Sequence, residues 1–435
     1  MDYILLIIGL VMLYRRSYPW LFTIIITLAS TYLQLPLDSE MQLMVGPTHN
    51  VADTGLLLYL LFWIREATCN GIYIRHPMAT VVTVFSLFLI LNGIFDILNG
   101  TATGDVIRYL KHWFYLTIVY INPSVSINDI KKSVKQIFWI TFVISLVLIV
   151  QYLFNLELIG ATNYGVRYTR GVKPPSFSII CCCLAVLNIF GFSNKVKIIT
   201  GLSFLLPVLF CLKMSYFTTI FLTLLLCYLI KQDVNILKLL KYAVAGIIVI
   251  ATIFYTSPSF QQRLEETIAQ SGSSSTREEE GNFSYRIDHF SERLEYVLKD
   301  PVRSVRGLGY VQERNFHEQP FQLGQLNNWG SKAMLDTGDI AWSLLILRLG
   351  LLGLFFYILM YLKCLNMLWR YKNHDDFILV FFSYVFISLV FMSLGNALIA
   401  YGDFFIYPLL IIGVNAKSKK HENSALHMEL LHRRC

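Results

Sequence analysis

Apolar runs recur along nearly all of the 435 residues, separated mostly by short polar connections. A run of about 17–25 apolar residues is long enough to cross a bilayer as a helix. The pattern predicts spans at about 3–14, 19–35, 51–64, 77–98, 106–121, 134–154, 176–193, 196–212, 215–230, 239–256, 340–362, 376–394 and 397–414. The weakest is 106–121, which contains Arg108, Lys111 and His112. One polar segment, Ser257 to Gly338, breaks the rhythm at length. Its start, Ser257 to Ile268, reads as a short helix with Pro258 in the first turn and Phe260, Leu264 and Ile268 on one face, ended by Gly272. Ser271 to Gly281 reads as a linker. Ser284 then caps a second helix that runs to Lys299, where Asp300-Pro301 stops it. Ile287, Phe290, Leu294 and Val297 form its apolar stripe, and Arg286, His289 and Arg293 lie on the adjacent polar face.

Charge placement orients the spans. Arg15-Arg16, Arg65 and Arg75, Lys131-Lys132 and Lys135, Lys195 and Lys197, Lys231 to Lys241, Lys363 to Lys372, and Lys417 to Lys420 fall in every second connection. By the positive-inside rule those connections are cytoplasmic, as is the C-terminus, and the long polar segment faces outward. Two connections on the opposite side, Asn155 to Pro175 and the long segment, nevertheless carry arginines. Only 15% of residues are charged, against about a quarter in soluble domains. The expected fold is therefore all-α: a polytopic integral membrane protein with about 12–13 transmembrane helices and one large extracytoplasmic loop. It divides into an N-terminal bundle (1–256), the loop (257–338), C-terminal spans (339–416) and a tail (417–435). The net charge of +8 is scattered over short connections, which is no footprint for nucleic acid. The eight cysteines show neither a disulfide framework nor zinc spacing. Met1-Asp-Tyr lacks a basic leader region, so the first apolar run is read as a span.

Charges at or inside span ends gather at the outer side: Asp53, Asp96, Asp105, Arg108, Lys111, Lys213, Arg348 and Asp403. Each singly fits snorkelling toward headgroups. Together they point to a polar cavity at the outer leaflet, since charge inside a membrane is expensive and marks functional sites. Arg286, His289 and Arg293 have two readings. They either lie on headgroup phosphates from a surface helix, or present a guanidinium to a bound pyrophosphate. Arg306-Gly-Leu-Gly309 is a compact turn that fits either a plain reversal or a phosphate nest. Asp336 and Asp339, before the next span, fit helix capping or a general base. His317 has no evident partner in the sequence.

Three segments resemble the O-antigen polymerase/ligase superfamily of membrane glycosyltransferases. The first is Arg167-Tyr-Thr-Arg170-Gly-Val-Lys-Pro174-Pro175. The second runs from Ser284-Tyr-Arg286 through Leu298-Lys-Asp-Pro301 to Gly307-Leu-Gly309, and the third is Leu347-Arg-Leu-Gly350-Leu-Leu-Gly353. The likeness covers roughly the C-terminal 60% of the chain and rests on order, topology and spacing. It implies a fold similar to GT-C-type glycosyltransferases in the bacterial inner membrane. It also implies that Arg286, and with it Arg170 and Arg167, bind a lipid diphosphate. His289, Arg293 and Arg348 are further candidates for that anion. The superfamily's ligases carry a His eleven residues before the position of Gly350; Asp339 stands there in this chain, which favours a polymerase.

The implied reaction moves a growing glycan from undecaprenyl diphosphate to a hydroxyl of a lipid-linked repeat unit. Guanidiniums stabilise the departing diphosphate, so no metal or other cofactor is called for. Asp336 or Asp339 serves as base, or as a nucleophile if a covalent intermediate forms. Expected partners are undecaprenyl-diphosphate-linked oligosaccharides, membrane lipids and a chain-length regulator. A ligase of the same superfamily, a lipid-linked oligosaccharide flippase and an acyl- or phosphoglycosyltransferase are the alternatives.

Overall fold

The computed structural model describes residues 2–29, 51–121, 125–154, 174–210, 214–231, 283–311, 316, 320–324, 335, 340–395 and 397–418. Arg167, Arg170, His317, Asp336, Asp339 and Lys213 lie outside them, as do the predicted span 239–256, the Ser257–Ile268 helix and the linker. The described residues are helical, with no strand among them. The helices are α1 (Asp2–Tyr14), α2 (Tyr18–Ala29), α3 (Val51–Asn70), α4 (Ala79–Leu98), α5 (Thr103–Leu110), α6 (Ile127–Phe154), α7 (Ser178–Val186), α8 (Asn194–Phe210), α9 (Met214–Lys231), α10 (Phe283–Leu298), α11 (Pro301–Arg306), α12 (Ala341–Tyr371) and α13 (Asp376–Val390). Residues 406–418 are helical as well. Among the described residues, four stretches are long and apolar enough to cross a membrane: Ala79–Leu98, Ile127–Phe154, Ala341–Tyr371 and Asp376–Leu394. Three shorter apolar helices, Tyr3–Tyr14, Tyr18–Ala29 and Ser215–Lys231, accompany them. An all-helical chain with such helices is compatible with a membrane protein, because helices satisfy their own backbone groups in lipid.

The predicted span 106–121 is not one α-helix. Helix α5 stops at Leu110, and Lys111–Tyr120 continues as a ten-residue 3₁₀ helix. Runs of that kind rarely exceed four residues. The break falls on the charged pair that weakened the span: Lys111 forms an ion pair with Asp53 of α3. A second short 3₁₀ helix, Gly402–Phe405, lies against this one. A methyl group at Gly402 would come within 2.3 Å of the His112 carbonyl oxygen, so only glycine permits the approach.

The chain forms two compact units. The first comprises 1–141, 353–382 and 401–435. Between helices in lipid, apolar burial supplies little drive, and close contact and buried polar bonds take over. Gly55 of α3 accordingly presses on α2, where an added methyl would meet Ala29 N and Leu28 Cβ at 2.9 Å. Thr23 Oγ1 lies 3.1 Å from Ser133 Oγ, which lies 2.7 Å from the Tyr407 hydroxyl, joining α2, α6 and the last helix. Asp96 and Asp105 are buried in this unit. The second unit comprises 142–352 and 383–400. Cys181, Cys182 and Cys183 of α7 are buried in it as free thiols, as is Cys227 of α9.

Candidate functional site

Helix α10 forms where Ser284 and Asp300-Pro301 predict it, but it buries a different face from the expected one. Tyr285, His289, Arg293, Tyr296 and Val297 are buried, at helical spacing, whereas Ile287 is 47% exposed. The reason is that the protein satisfies the polar side chains of that face. Arg293 donates from Nη1 to Glu292 Oε2 at 2.7 Å and from Nη2 to the Leu323 carbonyl at 2.6 Å. Its guanidinium carbon lies 4.4 Å from the centre of the Phe321 ring. Glu292 in turn accepts from the backbone N–H groups of Gln322 and Leu323, at 2.6 and 3.2 Å. Burial pulls the Arg293 guanidinium down to about 10, with Glu292 opposing, so it stays charged at neutral pH. A small core of Tyr296, Val297, Phe321, Leu335 and Leu347 closes beside this pair.

His289 is 2% exposed, and its Nδ1 shares a 3.0 Å hydrogen bond with Ser343 Oγ in the first turn of α12. Burial first, and then the Arg293 charge, lowers its pKa to about 3. It is therefore a neutral imidazole at physiological pH. Arg348, on α12, is 4% exposed and donates from Nη1 to the carbonyls of Gly309 and Val311, at 3.1 and 2.6 Å. Arg293, His289 and Arg348 thus join the polar segment to its surroundings within the second unit.

The Gly turn meets α12 in the same unit. Gly307, Gly309 and Gly350 all have positive φ, of 74°, 74° and 62°, and Gly350 interrupts α12 with non-helical backbone. Leu308 N donates to the Leu347 carbonyl at 2.7 Å. A methyl at Gly307 would lie 2.6 Å from Gly350 N, and one at Gly350 would lie 2.4 Å from Gly307 N. The second and third segments of the resemblance, about forty residues apart in sequence, therefore touch backbone to backbone. The phosphate-nest reading of Gly307–Gly309 finds no support here, because the Leu308 N–H is committed to Leu347.

Arg286 is the one of the four described basic candidates that is not buried. Its guanidinium rests against Gly395, where a methyl would come within 2.7 Å of Nη1 and within 2.9 Å of Ser215 Cβ. Ser215 Oγ reaches the Gly395 carbonyl at 3.4 Å. Ser215 belongs to the first turn of α9, and Trp342 and Ser343 belong to the first turn of α12. Trp342 Nε1 donates to Ser393 Oγ at 2.8 Å, just before Gly395. The Arg286 side chain is therefore held against Gly395, beside the first turn of α9. Helix N-termini carry partial positive charge and attract anions, so arginine and helix ends act in the same sense.

Sequence reasoning missed Gly395, Ser215, Ser343 and Glu292. Glycine and serine carry no spacing signal, and Glu292 is adjacent to Arg293 on a helix, where neighbours normally diverge. Among the described residues, no group of three or more His, Cys, Asp or Glu is gathered for a metal. No protein-family model matches the chain and no curated protein matches its sequence.

Proposed function

We propose that this chain is a polysaccharide polymerase of the bacterial inner membrane. It moves a growing glycan from undecaprenyl diphosphate to a hydroxyl of a lipid-linked repeat unit, on the extracytoplasmic side. The chain crosses the membrane many times, with its C-terminus in the cytoplasm and the segment 257–338 outside. The observation that carries the reading is the setting of Arg286: a half-buried guanidinium kept against Gly395, beside Ser215 in the first turn of α9. Its planar fork offers two parallel N–H donors, the geometry a diphosphate accepts and an ammonium does not reproduce.

In this reaction the bond between the anomeric carbon and the diphosphate oxygen breaks as the acceptor oxygen attacks. Charge builds on the leaving diphosphate, and a fixed guanidinium stabilises it without reorganising. The acceptor proton passes to a carboxylate, for which Asp336 and Asp339 are the proposed bases. A single in-line displacement inverts the anomeric centre. Arg167 and Arg170 are proposed as further diphosphate ligands on the strength of the resemblance.

The test is the cell-surface glycan profile of a deletion strain complemented with variants. Loss of a polymerase leaves the lipid A core capped by one repeat, loss of a flippase leaves no repeat outside, and loss of a ligase leaves polymer on its carrier. Arg286→Ala is expected to abolish the ladder at normal protein level, and Arg286→Lys to restore little of it. A full ladder with Arg286→Ala would remove Arg286 from the mechanism.

A further inference from the structure

The face of α10 that the protein leaves uncovered continues onto α11. Ile287 is 47% exposed and Leu298 50%; Val302 is 54% and Val305 52%. Helix α11 has no buried residue at all. It starts immediately after α10, fixed by the Asp300 carboxylate accepting from Arg303 N at 2.8 Å, and by Ser304 Oγ donating to the Val297 carbonyl at 3.1 Å. Four exposed aliphatic side chains thus sit on two helices whose mutual angle is set by these bonds. Lys299, exposed, and the half-buried Arg303 and Arg306 flank them.

The position of this surface is fixed by Gly350. The Val305 carbonyl oxygen lies 2.7 Å from where a methyl of Gly350 would be. Gly350 is also where the burial of α12 changes. Residues 345–350 are buried, whereas Leu351 is 46% and Leu352 39% exposed, within the stretch Ala341–Tyr371 that is apolar enough to cross a bilayer. The exposed valines of α11 therefore begin where the lipid-type surface of α12 begins. An amphipathic element with aliphatic residues on one side and Lys/Arg beside them is the composition of a helix lying in the headgroup boundary.

We infer that α10 and α11 dip Leu298, Val302 and Val305 into the bilayer leaflet next to α12, with Lys299, Arg303 and Arg306 at the level of the lipid phosphates. The occupant of this surface is lipid rather than a second protein chain, because the surface adjoins the exposed Leu351 and Leu352 of a helix apolar enough to cross a bilayer. Ile287, one end of the row, marks the shallow limit of the contact. The inference does not depend on the proposed reaction and is read without it.

The experiment uses full-length protein in phosphatidylethanolamine/phosphatidylglycerol vesicles, with a benzophenone amino acid replacing Leu298, Val302, Val305 or, as a control, the exposed Asp288. After irradiation, adducts are identified by mass. Lipid adducts from the three aliphatic positions, and few from Asp288, are expected. Protein–protein adducts, or no lipid adducts above the Asp288 level, overturn the inference. Adding Val302→Glu and Val305→Glu together is expected to cut lipid adducts at Leu298 about tenfold, as about 1.4 kcal/mol of lost partitioning gives. Because both valines are exposed, the thermal midpoint of that double variant in detergent should match wild type. Undiminished adducts at Leu298 in the folded double variant also reject the contact.

Discussion

Two arginines seven residues apart on one helix face meet opposite fates, and the difference lies in their neighbours. Arg293 has Glu292, the Leu323 carbonyl and the Phe321 ring, which together repay its burial. Arg286 packs against Gly395 beside Ser215 and is half-buried. The sequence made both equivalent, because helical spacing says which side chains share a face and not what lies opposite. His289 illustrates the same limit: grouped with the cations by spacing, it is neutral through burial. Its titration gives a signed expectation. Its folded pKa of about 3 lies below the ordinary value of 6.5, so between those values the unfolded chain binds the extra proton. Stability should therefore be unaffected above about pH 6.5 and fall as the pH drops below it, by up to about 1.4 kcal/mol per pH unit for this one group. His76, buried against the Leu409 carbonyl and lowered to about 4, adds to the slope in the same direction. Thermal midpoints of wild type and His289→Asn between pH 7 and 4 test this, and equal slopes for the two proteins would count against a buried neutral His289.

At the level of elements, the contact of Gly307 with Gly350 fastens the polar segment to α12. Either Gly→Ala change combines a φ that L-residues avoid with a methyl less than 3 Å from backbone on the other strand of chain, which cannot move aside cheaply. Each is expected to lower stability by about 2 kcal/mol or more and to open the 299–311 stretch to protease. Gly104, with nothing within 4 Å of an added methyl, is the control and should tolerate alanine. A proteolysis pattern unchanged by Gly350→Ala would mean that the two glycines do not hold the segment. The glycines were visible in the sequence, and so was the second helix of the loop, with its stop at Asp300-Pro301. Their pairing was not, because a φ above zero and a backbone contact leave no trace in hydrophobic periodicity. The same holds for the 3₁₀ stretch Lys111–Tyr120: the charges announced a weak span, but hydropathy does not distinguish three residues per turn from 3.6.

For the whole molecule, composition and apolar run length sufficed to read an all-helical chain with helices fit for a membrane, since the bilayer imposes a length and an apolarity that any sequence must show. The candidate site was legible only in part. Arg286 was named, yet Gly395 and Ser215, which lie against it, are distant in sequence, and the proposed carboxylates lie outside the described residues. One feature of α12 carries further. The helix has 31 residues, about 46 Å at 1.5 Å per residue, whereas the hydrocarbon layer is about 30 Å thick. The part after Gly350 alone measures about 31 Å and fits that layer. In the proposed membrane orientation, a span formed by the part after Gly350 sets that kink at the edge of the hydrocarbon layer. The proposed glycan synthesis, measured with protein reconstituted in short-, medium- and long-chain phosphatidylcholine, should accordingly peak at one acyl length, and a rate indifferent to chain length would show that the bend is not anchored there. Hydrophobic mismatch then becomes a means by which membrane composition tunes the proposed anion site.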